Sequence, residues 1–183
     1  MPAASPAACV YCGSQVGRDP RFRAAAEDLG RAFAARGITL VYGGGSIGLM
    51  GVCADATLAA GGRAVGVIPR FLCTAEVAQA DLSEQVVVES MHERKWAMFE
   101  RSDAFIALPG GFGTLDELLE MITWRQLRRH DKPIIVLNVA GFFDPLLAHF
   151  ERAIEAGFVA PALRRLYTVA RGVDEALAAI PGG

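Results

Sequence analysis

Two runs in this chain, Ala104-Phe105-Ile106-Ala107-Leu108 and Ile134-Ile135-Val136-Leu137, are apolar at every position. A strand with one wet face alternates between polar and apolar residues, so an unbroken apolar run of strand length is covered on both sides. That requirement points to a parallel sheet between two layers of helices, and the remaining sequence supplies the helices. Strand-like segments are expected at 8–13, 38–42, 63–69, 85–89, 103–109, 132–138 and 166–170, with a helix-like stretch between most successive pairs. Asp19-Pro20 and Asp144-Pro145 both read as a capping residue followed by proline at the first helical position. Gly37 and the Gly61-Gly62 pair read as helix stops. Parallel strands joined by right-handed helical crossovers give an α/β fold, a Rossmann-like doubly wound sheet with helices on both faces. One domain is expected over residues 8–181, after a disordered tail at 1–7. In such sheets ligands bind outside the C-terminal ends of the strands.

Length and composition agree with that architecture and exclude several functions. A chain of 183 residues can bury about 70% of its unfolded surface. With 52% apolar residues and a net charge of −2, its composition gives no electrostatic case for binding duplex nucleic acid. No apolar run approaches the roughly 18 residues of a membrane span. The start, MPAASPAACV, lacks the basic and apolar regions of a signal peptide, so a cytoplasmic location is expected. Cys9 and Cys12 have C-x-x-C spacing, but in a strand residues three apart face opposite ways. His92, His130 and His149 lack metal-ligand spacing, so no metal is expected.

Two glycine-rich loops follow strand-like segments. Gly43-Gly44-Gly45-Ser46-Ile47-Gly48 satisfies G-x-G-x-x-G, yet no carboxylate follows about 20 residues on to hold a dinucleotide ribose. It reads either as a tight strand-to-helix turn or as a close approach to a mononucleotide. Pro109-Gly110-Gly111-Phe112-Gly113-Thr114 lacks the Lys-Ser/Thr ending of a nucleotide triphosphatase loop, but can hold one phosphate at a helix N-terminus. Arg94 and Lys95 follow a capping box formed by Ser90 and Glu93. Two cations in a first helical turn oppose the macrodipole, which suggests an anionic ligand, although a solvated charge run would look the same.

Glu117 also has two readings. Thr114-Leu115-Asp116-Glu117 fits a capping box, in which Glu117 only satisfies backbone amides. Helical spacing places Leu115, Leu118, Leu119 and Ile122 on the core face and Glu117, Glu120 and Trp124 opposite. An indole outside the core, beside Met121 and Arg125, suggests a covered subunit surface.

Together, SMHERK and ALPGGFGTLDE resemble the signature of the Lonely Guy family, the cytokinin riboside 5′-monophosphate phosphoribohydrolases. The family hallmark PGGxGTxxE is met in full by Pro109 to Glu117. The likeness runs from YCGS through VYGGGSIGLMG and KPIIVLN to EAGF, nearly the whole chain. It implies hydrolysis of the N-glycosidic bond of an N6-modified adenosine 5′-monophosphate, to free base and ribose 5-phosphate, without a cofactor. It implies Arg94 and Glu117 as the catalytic pair. The implied substrate-binding residues are Glu76, Lys95, Gly110, Gly111, Phe112, Gly113, Thr114, Leu115, Asp116 and Thr123, together with Gly13, Ser14, Gly44, Gly45 and Met91. A homodimer is implied as well. Members are often labelled lysine decarboxylases, but this chain has no recognisable pyridoxal-phosphate lysine site. The alternative of another class is a non-catalytic nucleotide-binding protein on the same fold.

Overall fold

The computed structural model describes residues 5–73 and 81–180. Its strands are β1 (Ala7–Tyr11), β2 (Thr39–Tyr42), β3 (Ala64–Pro69), β4 (Glu84–Val88), β5 (Ala104–Ala107), β6 (Ile134–Leu137) and β7 (Thr168–Ala170). Its α-helices are α1 (Pro20–Arg36), α2 (Gly48–Ala59), α3 (Met91–Glu100), α4 (Phe112–Gln126), α5 (Asp144–Glu155) and α6 (Val173–Ala178). The strands form one sheet in the order β4-β3-β2-β1-β5-β6-β7, and every neighbouring pair is parallel. From β1 the chain builds outward through β2, β3 and β4, then returns to place β5 on the other side. The topological switch point therefore lies between β1 and β5.

Strand periodicity sorts the core into two layers. Ala8, Val10 and Cys12 join Leu29 and Phe33 of α1, Leu49 and Cys53 of α2, and Leu177 of α6. Cys9, Tyr11 and Phe105 face the other way, onto Met98 of α3 and Leu118 and Met121 of α4. Cys9 and Cys12 thus lie on opposite faces of the sheet, and both are free thiols. Fully buried rings such as Phe33 and Phe105 anchor the two layers; truncating either to alanine should cost about 3–5 kcal/mol.

The local signals were read correctly at α1 and misread at α5. Asp19 caps α1 by accepting from the Arg21 amide, and Gly37 closes the helix at φ 66°. At α5, Asp144 is inside the helix and is not its cap. The Asn138 side chain accepts from the Phe143 amide at 2.8 Å and donates to Asp144 Oδ1 at 2.7 Å, which takes over the capping role from outside. On α4 the core face is Thr114, Leu118 and Met121, with Leu115 and Ile122 partly covered, while Leu119 is 40% exposed. β1 takes in Ala7, the last residue of the expected tail; residues 1–4 lie outside the described residues.

Candidate active site

The loops that leave β1 and β5 are tied together at the switch point. Gly13 donates its amide to the Pro109 carbonyl at 3.0 Å and accepts from the Leu49 amide at 2.9 Å. Gly110 lies in the same knot, where a Cβ would stand 2.0 Å from Thr114 Oγ1 and 2.9 Å from the Gly13 nitrogen. Only glycine fits there.

α4 starts earlier than a Thr114 cap would allow. Its N-cap is Gly111, in an extended conformation and with no side-chain capping bond, and Phe112 is already helical. The capping-box reading of Thr114 and Glu117 is therefore corrected. Thr114 lies in the first turn and Glu117 a turn inside the helix, beyond the unpaired amides that a cap satisfies. Among the described residues those amides, on Gly111, Phe112, Gly113 and Thr114, have no acceptor and lie at the positive end of the helix dipole, where an anion can be held.

α3 delivers its arginine across the sheet edge. Ser90 caps the helix through Oγ, 3.1 Å from the Glu93 amide, and Glu93 accepts from the Glu89 amide at 2.9 Å. Arg94 is 7% exposed. Its Nε donates to the Val67 carbonyl at 3.1 Å, and its Nη2 to the Gly43 carbonyl at 2.7 Å. Met91 Sδ lies 3.8 Å from Nη1. None of the ion pairs found among the described residues includes Arg94. Among the described residues its hydrogen bonds go to neutral acceptors and only Glu117, across the cavity, feels its charge, so the guanidinium attracts an anion.

Arg94, Glu117, Cys12, Gly13, Ser14, Met50, Gly111, Phe112, Gly113 and Thr114 enclose one cavity of about 200 Å³. Desolvation there pushes the Glu117 carboxyl up to about 7, against the pull of Arg94 and with a smaller push from Asp116. Its ionisation near neutrality suits a general acid or base. A second cavity of about 260 Å³ adjoins it, sharing Gly13, Ser14 and Gly111 and adding Gly110. Its far wall is apolar, with Phe22 and Phe142 edge to face at 5.5 Å.

The other expected site residues are placed elsewhere. Lys95, next to Arg94, turns to α4, where its Nζ lies 3.1 Å from both Asp116 and Glu120. Desolvation would lower its pKa, but these carboxylates outweigh that and hold it above the ordinary lysine value. Leu115 packs into the core, and Thr123 is exposed, with its hydroxyl bonded to the Leu119 carbonyl. Gly44 packs against β3, and neither it nor Gly45 lines the cavity. Met91 reaches the site only through Arg94. Glu76 lies outside the described residues. Sequence reasoning missed Cys12, Met50, Gly43 and the Phe22–Phe142 wall. Cys12 could have been found from strand alternation, which turns it away from Cys9.

On the outer side of α3 and α4, Trp96, Phe99, Trp124 and Leu127 line a groove of about 640 Å³ with Arg128 and Arg129. Trp124 packs on Phe99 at 5.2 Å and Trp96 at 5.8 Å. Met121 is 1% exposed and belongs to the core, so it does not join that outer surface.

A family model described as "Possible lysine decarboxylase" matches residues 50–180. The chain is 50% identical over 169 residues to the probable cytokinin riboside 5′-monophosphate phosphoribohydrolase LOGL5 of Oryza sativa subsp. japonica, covering 92% of this chain and 69% of that protein. It is 47% identical over 167 residues to the cytokinin riboside 5′-monophosphate phosphoribohydrolase LOG1 of Arabidopsis thaliana, covering 91% and 78%. Among solved structures, the Moco carrier protein of Chlamydomonas reinhardtii matches with a TM-score of 0.72 at 23% identity, covering 96% of this chain and 95% of that one. The molybdenum cofactor binding protein of Rippkaea orientalis matches at 0.73 and 21%, with coverage of 96% and 95%. At those identities the structural likeness speaks of fold alone.

Proposed function

The chain belongs to the Lonely Guy family of cytokinin riboside 5′-monophosphate phosphoribohydrolases, and from that premise we propose that it hydrolyses the N-glycosidic bond of N6-modified adenosine 5′-monophosphates. The observation that carries the reading is the shared cavity. It brings a carboxyl with a pKa of about 7, a guanidinium that forms no ion pair among the described residues and the open end of a helix within reach of one small ligand.

In this reading the α4 amides hold the 5′-phosphate, Arg94 donates to it and, in the transition state, to the charge that grows on the departing base, and the adjoining apolar cavity receives the base. A 200 Å³ space is small for a whole nucleotide, so both cavities are needed. The C1′–N bond breaks with its electron pair moving to the base, leaving an oxocarbenium-like ribosyl cation. The Glu117 carboxylate stabilises that cation and takes a proton from the attacking water, whose oxygen bonds to C1′. The departing base takes up a proton from solvent, Glu117 returns to solvent the proton it took from water, and ribose 5-phosphate remains. No step requires a metal or cofactor.

The decarboxylase label would need a lysine placed to form a Schiff base with pyridoxal phosphate. The chain has two lysines. Lys95 is tied to Asp116 and Glu120, and Lys132 donates to the Phe99 carbonyl at 2.7 Å with its ammonium 4.1 Å from the Phe99 ring centroid. Neither lines the cavity, so the residues present do not fit that cofactor.

We extend the proposal to a cytoplasmic homodimer that takes no nucleic acid. The exposed Trp96 and Leu127 support the dimer, the buried reduced thiols the compartment, and the net charge of −2 the third part. Incubating purified protein with AMP and isopentenyl-AMP, then assaying free base and ribose 5-phosphate, tests the activity. Release of both supports it. Binding without turnover would favour a nucleotide-binding protein, and carbon dioxide released from lysine with added pyridoxal phosphate would favour the decarboxylase.

A further inference from the structure

We propose that Gly43 is a positioning residue for the reaction, fixing the Arg94 guanidinium by presenting its carbonyl and by having no side chain. The inference rests on the reading above, in which Arg94 meets the substrate.

Gly43 follows β2 directly, and its backbone does not need glycine. The positive φ in this loop falls on Gly44, at 76°, while Gly43 stays outside the left-handed region. Space excludes a side chain instead. A Cβ at position 43 would stand 2.0 Å from Arg94 Nη2 and 3.0 Å from Cζ, with Met50 Sδ at 3.2 Å. The far end of a long side chain ordinarily gives way to such a contact. Here it cannot move freely, because Nε and Nη2 form one edge of the guanidinium and both are used. One bonds the Val67 carbonyl of β3, the other the Gly43 carbonyl at the end of β2. Two adjacent strands of the sheet therefore set the plane of the group. Among the described residues the Nη1 side has only the weak Met91 sulfur contact beside it, so that side can face a ligand. A methyl at position 43 must push the guanidinium off both carbonyls and turn its free edge. A donor fixed before the substrate arrives needs no reorganisation during the reaction, which is where electrostatic catalysis gains most.

The test is a double-mutant cycle on the full chain with Gly43→Ala, Arg94→Ala and both together. Gly43→Ala should lower kcat by about 10²-fold, the scale of losing one preorganised donor, and change KM much less, because the α4 loop still holds phosphate. Added to Arg94→Ala, it should change kcat less than about twofold, since residues acting as one unit are not additive. The double variant should also melt with Arg94→Ala, because truncating the arginine removes the clash. If Gly43→Ala alone does not fold, recovery of folding in the double variant supports the proposal, and failure to recover overturns it. A Gly43→Ala enzyme near wild-type kcat beside an inactive Arg94→Ala enzyme overturns it too. So does a further tenfold loss in the Arg94→Ala background. An Arg94→Ala enzyme at full kcat removes the catalytic reading of Arg94, and the proposal with it.

Discussion

The Lys95 ammonium lies 3.1 Å from the Glu120 carboxylate, a bridge from α3 to α4, while Arg94 beside it points into the cavity. Consecutive residues on a helix diverge by about 100°, so the two cations can serve different ends. Lys95→Met keeps the aliphatic stem and removes the charge. Asp116 reaches solvent but Glu120 Oε2 is buried, so losing its cation should cost about 1–3 kcal/mol of stability. Turnover should fall less than tenfold. Arg94→Lys keeps the charge but loses the planar edge that spans two carbonyls, and should lower kcat about 10²-fold. Steady-state kinetics of the two variants checks the contrast, and equal losses would move Lys95 into the site.

A second prediction concerns the phosphate. Four amides at the start of α4 and the phosphate contact of Arg94 have no role toward an uncharged nucleoside. Losing these charge-assisted contacts should remove several kcal/mol of transition-state binding, so kcat/KM for adenosine should fall at least about 10³-fold below that for AMP. Comparable values would place the phosphate outside this cavity.

Much of the fold could be read because single signals carried it. Uninterrupted apolar runs gave β5 and β6, and the Asp-Pro and Gly37 signals bounded α1. The errors came where a distant residue took over a local role. Asp144 looks like a cap from its neighbours, but Asn138 reaches across a turn to the Phe143 amide. Thr114 and Glu117 match a capping box letter for letter, yet helical geometry begins at Phe112, so the box never forms. The candidate site was legible where one motif supplies its lining, at Gly111 to Thr114 and Glu117, while Leu115 and Asp116 of the same motif turn away from the cavity. Cys12, Met50 and Gly43 come from other segments and meet only through the sheet order. Glu76 lies outside the described residues.

The third prediction concerns assembly. Trp96 is 46% exposed and Leu127 64%, on a face already rich in aromatic rings. Light scattering at micromolar concentration should give twice the chain mass of 19.4 kDa. Trp96→Glu places a charge in that groove and should shift the mass toward a single chain. A wild-type mass of one chain would refute the dimer.

The last prediction separates Glu117 the catalyst from Glu117 the structural residue. Because it caps nothing, Glu117→Gln removes a charge with almost no change of shape. If the carboxylate stabilises the ribosyl cation and activates water, kcat should fall about 10²-fold or more while the fold is kept. In the wild type, kcat/KM should rise with pH through about 7 as the carboxyl of the free enzyme ionises, and the variant should lose that inflection. Stability should move the opposite way. The folded pKa is raised above the unfolded value of about 4.3, so between those two values the folded state binds more protons and loses stability as pH rises. Above about 7 the protein carries the full penalty of a desolvated carboxylate, and glutamine carries none. Glu117→Gln should therefore melt close to wild type at pH 4 and above it at pH 8. Melting curves at both pH values, read beside kcat, decide the matter. A variant that stays active would show that the Glu117 carboxylate is not needed for the reaction, and one that gains no stability at high pH that its surroundings do not strain it.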